Sequence, residues 1–135
     1  MYEKIYMRSA MCSIFFSLCA CGGKISEVKT RNIDSNTYSQ DDIRDAIDVI
    51  KKEFEAEWSG CTLTEIYYAG DEKSKDHQDW ATRNDADEVI VLLSSFDVDS
   101  SGGDGSLNTN STYDNWMWIL VRTNDGAWKH VDHGY

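Results

Sequence analysis

The chain has 135 residues, with 13 Lys and Arg against 24 Asp and Glu, and a net charge of −11. That balance argues against nucleic-acid binding, which needs a basic face to displace counterions from phosphates. Apolar residues at 41%, aromatic residues at 12% with five Trp among them, and the absence of proline exclude a disordered chain and a proline-rich linker.

The N-terminus reads as a targeting segment. Residues 1–20 carry Lys4 and Arg8, followed by an uncharged run from Ala10 to Ala20. The run is too short to span a bilayer and suits the apolar centre of a secretory signal peptide, complete even when started at Met7. Leu18-Cys19-Ala20-Cys21-Gly22-Gly23 resembles the bacterial lipobox, although Cys19 departs from its usual small or β-branched residue. The resemblance implies cleavage before Cys21 and a diacylglyceryl thioether on its sulfur, with palmitate-type chains. Two or more such chains anchor a protein stably where one does not. Cys12 and Cys19 then leave with the signal, and loss of Glu3, Lys4 and Arg8 leaves the mature chain one unit more acidic. Cys61 remains without a disulfide partner and is expected to be a small buried hydrophobe. Residues 22–37 are polar, with Ile25, Val28 and Ile33 scattered among them, so 21–37 is expected to be a lipidated, flexible tether. Residues 38–135 then form a single domain able to bury one core.

Within that domain, Ser39 followed by Gln40, Asp41 and Asp42 predicts a helix N-terminus. Ile43, Ala46, Ile47, Ile50, Phe54 and Trp58 recur three or four apart. Lys51, Lys52, Glu53, Glu55 and Glu57 fall on the other side, and Gly60 is the stop. Cys61–Tyr68 predicts a strand and Gly70-Asp71 a turn. Residues 74–84 predict a short exposed helix held by Trp80 and Ala81, with His77 exposed on it. Residues 86–98 predict a long strand, central in its sheet because Val89 to Leu93 is apolar on both faces. Residues 99–112 are a loop rich in Gly, Ser and Asp. Strands follow over 114–123 and 127–135, joined by the hairpin signal Asn124-Asp125-Gly126. The order α-β-α-β-β-β predicts an α+β fold, a curved antiparallel sheet on one N-terminal amphipathic helix.

A signal-bearing start, an isolated first helix and a terminal strand from Trp128-Lys129 to Gly134-Tyr135 resemble the cystatin-like, nuclear-transport-factor-like cone fold. Gly60-Cys61-Thr62-Leu63, the run Ala86 to Phe96 and the stretch Asp97 to Trp118 through Trp128-Lys129 resemble a group of uncharacterised Gram-positive gut-bacterial lipoproteins that share a domain of unknown function. That resemblance implies a fold and a location outside the cytoplasmic membrane. It implies no activity.

Three constellations could carry chemistry. Asp97, Asp99, Ser101 and Gly102 are spaced like the opening of an EF-hand, where alternate oxygens converge on calcium. Asn108 stands where a bidentate Glu belongs, and Asp104 where an apolar residue is usual, so a connector with Asp-capped turns competes with a weak metal site at Asp97, Asp99 and Asp104. Trp116 and Trp118 share one strand face with Leu120, while Met117, Ile119 and Val121 occupy the other. An open indole face would be a ligand platform; a covered one is core. On the last strand, alternation puts His130 with Asp132 on one face and His133 with Tyr135 on the other, and a His–Asp pair within hydrogen-bond reach could do acid–base work. No phosphate loop, nucleophile elbow or zinc motif occurs. The expectation is a lipid-anchored extracytoplasmic module that binds a peptide, glycan or partner protein and needs no cofactor. A small cone-fold hydrolase, lyase or isomerase using His130, Asp132 or His133 is the alternative, and a calcium-stabilised module the third reading.

Overall fold

In the computed structural model, which describes residues 22–135, the first helix starts on a reciprocal cap. The Ser39 hydroxyl accepts from the Asp42 N–H at 3.0 Å, and the Asp42 carboxylate accepts from the Ser39 N–H at 3.3 Å. Helix α1 then runs Gln40–Glu57 and buries Ile43, Ala46, Ile47, Ile50 and Phe54 along one stripe. Each of the three Ile and the Phe contributes about 1.5–3 kcal/mol on burial. The helix ends at Trp58, and Gly60 turns the chain at φ 79°. A Cβ at Gly60 would stand 2.4 Å from the Ser101 hydroxyl, so the turn can close only around a glycine.

Four strands follow: β1 Cys61–Tyr68, β2 Glu88–Val98, β3 Ser111–Arg122 and β4 Lys129–Gly134. They pair antiparallel in sequence order, so β2 and β3 are interior and β1 and β4 are edges. The protein is therefore α+β with one four-stranded antiparallel sheet. β2 is central, as its apolar run demands: Val89, Ile90, Val91 and Leu92 are all buried. The connection from β1 to β2 holds two short helices, α2 Asp71–Asp76 and α3 Asp79–Arg83, where the sequence suggested one helix over 74–84. The early start comes from Asp71, whose carboxylate accepts from the Ser35 and Tyr68 hydroxyls and from the Asn36 N–H. α1 packs on one sheet face with Leu63, Ile66, Ile90, Leu92, Trp118 and Leu120. Ala81 and Trp80 of α3 cover the other face over Val89, Val91, Ile119 and Val121. The second apolar face of β3 is thus core as well.

The segment expected to be a flexible tether is packed. The Lys24 N–H donates to the Cys61 carbonyl and the Leu63 N–H to that of Lys24; Lys29 repeats the exchange with Thr64 and Ile66. These bridges lay residues 24–29 parallel to β1 and cover that sheet edge. Ile25, Val28 and Ile33 pack against the main core. Their spacing fits neither helix nor strand, because an extended strip interrupted by a turn presents them at irregular intervals.

Arg122 ties the corners together. Its side chain is only 5% exposed and bonds Glu88 at 2.9 Å and Asp42 at 3.0 Å, with the guanidinium 4.3 Å from the Trp128 ring centre. The N-terminus of α1, the start of β2 and the turn before β4 meet on this one cation. Among the described residues no helix is long and apolar enough to cross a membrane. Residues 1–20, expected to be a signal peptide, and Cys21, the expected lipid site, lie outside the described residues.

Candidate functional site

Two β-bulges decide which side chains meet at the far end of α1. On β3, Ser94 pairs with Trp116 but Phe96 pairs with Tyr113, and Asn115 between them takes φ 58°. Asn tolerates this left-handed conformation better than most residues. The extra residue puts Tyr113 and Trp116 on the same face although they are three apart. On β4, His130 pairs with Leu120, Asp132 with Ile119 and His133 with Trp118. Val131 is the extra residue there, and it resets the alternation. His130 and His133 therefore both face α1, together with Tyr135, while Asp132 lies on the opposite face with Ile119.

The expected His130–Asp132 side-chain pair is not formed. Asp132 offers His130 only its backbone carbonyl, 3.1 Å from Nε2. The carboxylate that meets His130 comes from α1: Glu53 Oε2 lies 2.5 Å from His130 Nδ1. His130 Nε2 is also 3.3 Å from His133 Nδ1, which completes a chain from Glu53 through His130 to His133. Desolvation against the neighbouring indoles, and then the charge of His130, hold the His133 imidazole below its usual range, so it is neutral at neutral pH.

Around this chain stands an aromatic cluster. Trp58 lies 5.1 Å from Trp118, 5.3 Å from His133 and 5.9 Å from Trp116, measured between ring centres. Trp118 is fully buried, and its indole N–H donates to the Ser94 hydroxyl at 2.8 Å. It is core, so only Trp116 of the two platform candidates remains for a ligand. Trp116 is half-buried, and its indole nitrogen is buried without a hydrogen-bond partner among the described residues. It borders a cavity of about 310 Å³ with Trp58, His133, Glu53, Glu57, Asp104 and Leu107. Cys61 also lines it, but burial, then Asp99 and Asp104, raise the thiol to about 11, which keeps it protonated and a poor nucleophile.

The loop from 99 to 110 closes one side of the cavity without gathering its acids. Asp99 accepts from the Ser101 N–H and hydroxyl, Asp104 does the same with Ser106, and Asp97 accepts from the Thr112 hydroxyl. Asp99 and Asp104 each cap their own turn and Asp97 bonds across to β3, so the three carboxylates do not converge. Among the described residues no group of His, Cys, Asp and Glu is arranged to hold a metal ion. His77 sits apart on the α2–α3 side, half-buried, with Nδ1 at 2.9 Å from the Lys73 carbonyl.

Glu53, Glu57 and Trp58 are the site residues that sequence reading missed. The two acids look like the solvated face of an amphipathic helix, and Trp58 like its last core position. The available signal was local: the last turn of α1 holds Glu57 and no Lys or Arg, the reverse of what a helix C-terminus favours. Compared with known proteins, the chain matches no family model, no curated protein and no solved structure.

Proposed function

We propose that this chain is a lipid-anchored extracytoplasmic module that binds a ligand in the cavity between the end of α1, the loop from 99 to 110 and strands β3 and β4. The cavity carries this reading. Its volume of about 310 Å³ falls at the small end of small-molecule sites, which pair aromatic walls with a few polar groups as this one does. A bulged sheet with α1 against one face supports the cystatin-like cone reading of the fold, a family that uses such a cavity. The lipobox-like run ending at Cys21 supports anchoring outside the cytoplasmic membrane.

Two experiments test these halves. Cys21→Ala should move the protein from the membrane fraction to the soluble one and abolish labelling by a palmitate analogue; retention in the membrane would remove the anchor. A fragment screen read by two-dimensional NMR should give hits that shift the Trp58, Trp116 and His133 resonances together. Hits confined to other surfaces would remove the cavity as the site.

A second reading is favoured by the chain from Glu53 through His130 to His133. Glu53 orients His130, and a neutral His133 beside the cavity could take up a proton, which is the task of a general base in a small hydrolase, lyase or isomerase. Cys61 is not the nucleophile of such an enzyme, since its thiol stays protonated. Turnover of a model ester that disappears in His133→Asn but survives in Cys61→Ala would favour this reading over pure binding.

A further inference from the structure

We propose that the cavity at the C-terminal end of α1 selects an organic ammonium group, carried by a free quaternary amine or by a lysine side chain of a partner. This rests on the cavity being a ligand site and adds the chemistry of the ligand. The walls and their charge carry it. Trp58 and Trp116 meet with ring centres 5.9 Å apart and planes at 82°. Two indoles at a right angle form a corner, which suits a compact rounded cation better than the flat ring of a sugar. Indole faces attract cations through the ring quadrupole.

Charge narrows the choice. Glu53, Glu57 and Asp104 line the cavity, and no Lys or Arg among the described residues does. His133 is the remaining titratable ring on the wall, and it is neutral at neutral pH. Glu53 already faces His130, so the charge left open to a ligand is that of Glu57 and Asp104, which would repel phosphates and carboxylates. The backbone adds to this field. α1 is 18 residues long, and its last turn points its partial negative charge at the same place without a basic side chain to offset it. An acidic helix C-terminus beside an aromatic cavity is locally unfavourable in the empty protein, and a bound cation relieves it. Departures from local preference of this kind concentrate at functional sites.

The decisive comparison is between choline and its uncharged carbon isostere, dimethylbutanol, which share shape and differ in charge. Titrated into the protein and followed by the indole resonances of Trp58 and Trp116, choline should bind saturably, with the isostere at least about tenfold weaker. Choline should also raise the melting temperature in proportion to its occupancy. Glu57→Gln should weaken choline binding while raising the melting temperature of the free protein, because it removes a charge that opposes the end of α1. A residue with only a structural role would not move the two readouts in opposite directions. Nα-acetyl-lysine methylamide, whose side-chain ammonium is free, supplies the second arm. Tighter binding than choline assigns the ammonium to a partner's side chain, and weaker binding assigns it to a free quaternary amine. Equal affinity for choline and its isostere would overturn cation selection and leave the cavity as a ligand site. Shifts that avoid Trp58 and Trp116 with both probes would overturn the site along with it.

Discussion

Replacing Arg122 with Met tests whether one buried cation holds the corners of the fold. Met keeps most of the aliphatic stem and its packing, so the change isolates the guanidinium. What is lost is the bond to Glu88 at 2.9 Å, the bond to Asp42 at 3.0 Å and the contact with the Trp128 ring. What is left behind is two carboxylates without their cation. Breaking a fully buried pair costs about 3–5 kcal/mol. Both Asp42 and Glu88 side chains are 30% exposed, so water reaches their oxygens. The expected loss is therefore at the lower end, about 3 kcal/mol. At roughly 4 °C per kcal/mol for a domain of this size, the melting temperature should fall by about 12 °C. Urea denaturation should show the same loss with an unchanged slope. Arg44→Met is the control. Its pair with Asp41 is exposed on both sides, and its loss should be under about 0.5 kcal/mol. Adding Glu88→Leu to Arg122→Met should recover about 1 kcal/mol by removing one stranded charge. A loss in Arg122→Met as small as that in Arg44→Met would refute the argument.

Phe54 is fully buried beneath Trp58, Phe96 and Trp118, so Phe54→Ala should cost about 3–5 kcal/mol by urea titration. Gly60→Ala should lower the melting temperature clearly, because φ 79° and the Ser101 hydroxyl at 2.4 Å both oppose a Cβ; a neutral result would mean the turn relaxes freely. Acid should destabilise the fold in two steps. The carboxyls of Asp42, Asp71 and Glu65 are held below their ordinary range, chiefly by Arg122, by the Ser35 hydroxyl and by Arg31 respectively. Their stabilisation is complete above about pH 4 and is lost as pH falls through the lowered native values. His133, also lowered in the native state, adds the same sign in a higher window. Its contribution is complete above about pH 6.5 and is lost as pH falls through its native value. A urea midpoint that rises from about pH 7 to about pH 5 would contradict the His133 assignment. Calcium and magnesium at equal ionic strength should shift the melting temperature equally, since Asp99 and Asp104 cap separate turns and Asp97 bonds Thr112 across the strands; a saturable calcium-specific rise would restore the loop as a metal site.

The fold was legible where its causes are local. Ser39 and Asp42 announce the start of α1, the three-and-four spacing announces its buried stripe, and Cys61–Tyr68 is bounded by glycines at both ends. The site was not legible, because its causes are non-local. Strict alternation along KHVDHGY puts His130 with Asp132; one extra residue in the pairing with β3 replaces that partner with Glu53, from an element far away in sequence. No property of the seven residues themselves marks Val131 as extra. Asn115 was more readable. Asp-Asn inside an otherwise aromatic strand is a poor strand pair, and Asn is a residue that accepts a positive φ. The strip from Ile25 to Ile33 stayed hidden for a third reason: its order comes from the unpaired edge of β1, not from any period of its own.

The close approach of Gly22 and Gly23 to the end of α1 has a consequence for the anchor proposed at Cys21. The Gly23 N–H donates to the Phe54 carbonyl at 3.1 Å, and a Cβ on Gly22 would stand 1.7 Å from the Glu55 carbonyl oxygen. Residue 22 is therefore seated on the last turn of the helix, and its predecessor is one peptide unit away, about 3.8 Å between Cα atoms. If Cys21 carries the lipid, the domain has no leash. It would ride on the bilayer with a fixed pole downward, and that pole is the end that holds Trp58, Trp116 and His133. Its search for a ligand would then be lateral and confined to a thin layer next to the headgroups. A few residues inserted between Cys21 and Gly22 would free its orientation without touching the fold.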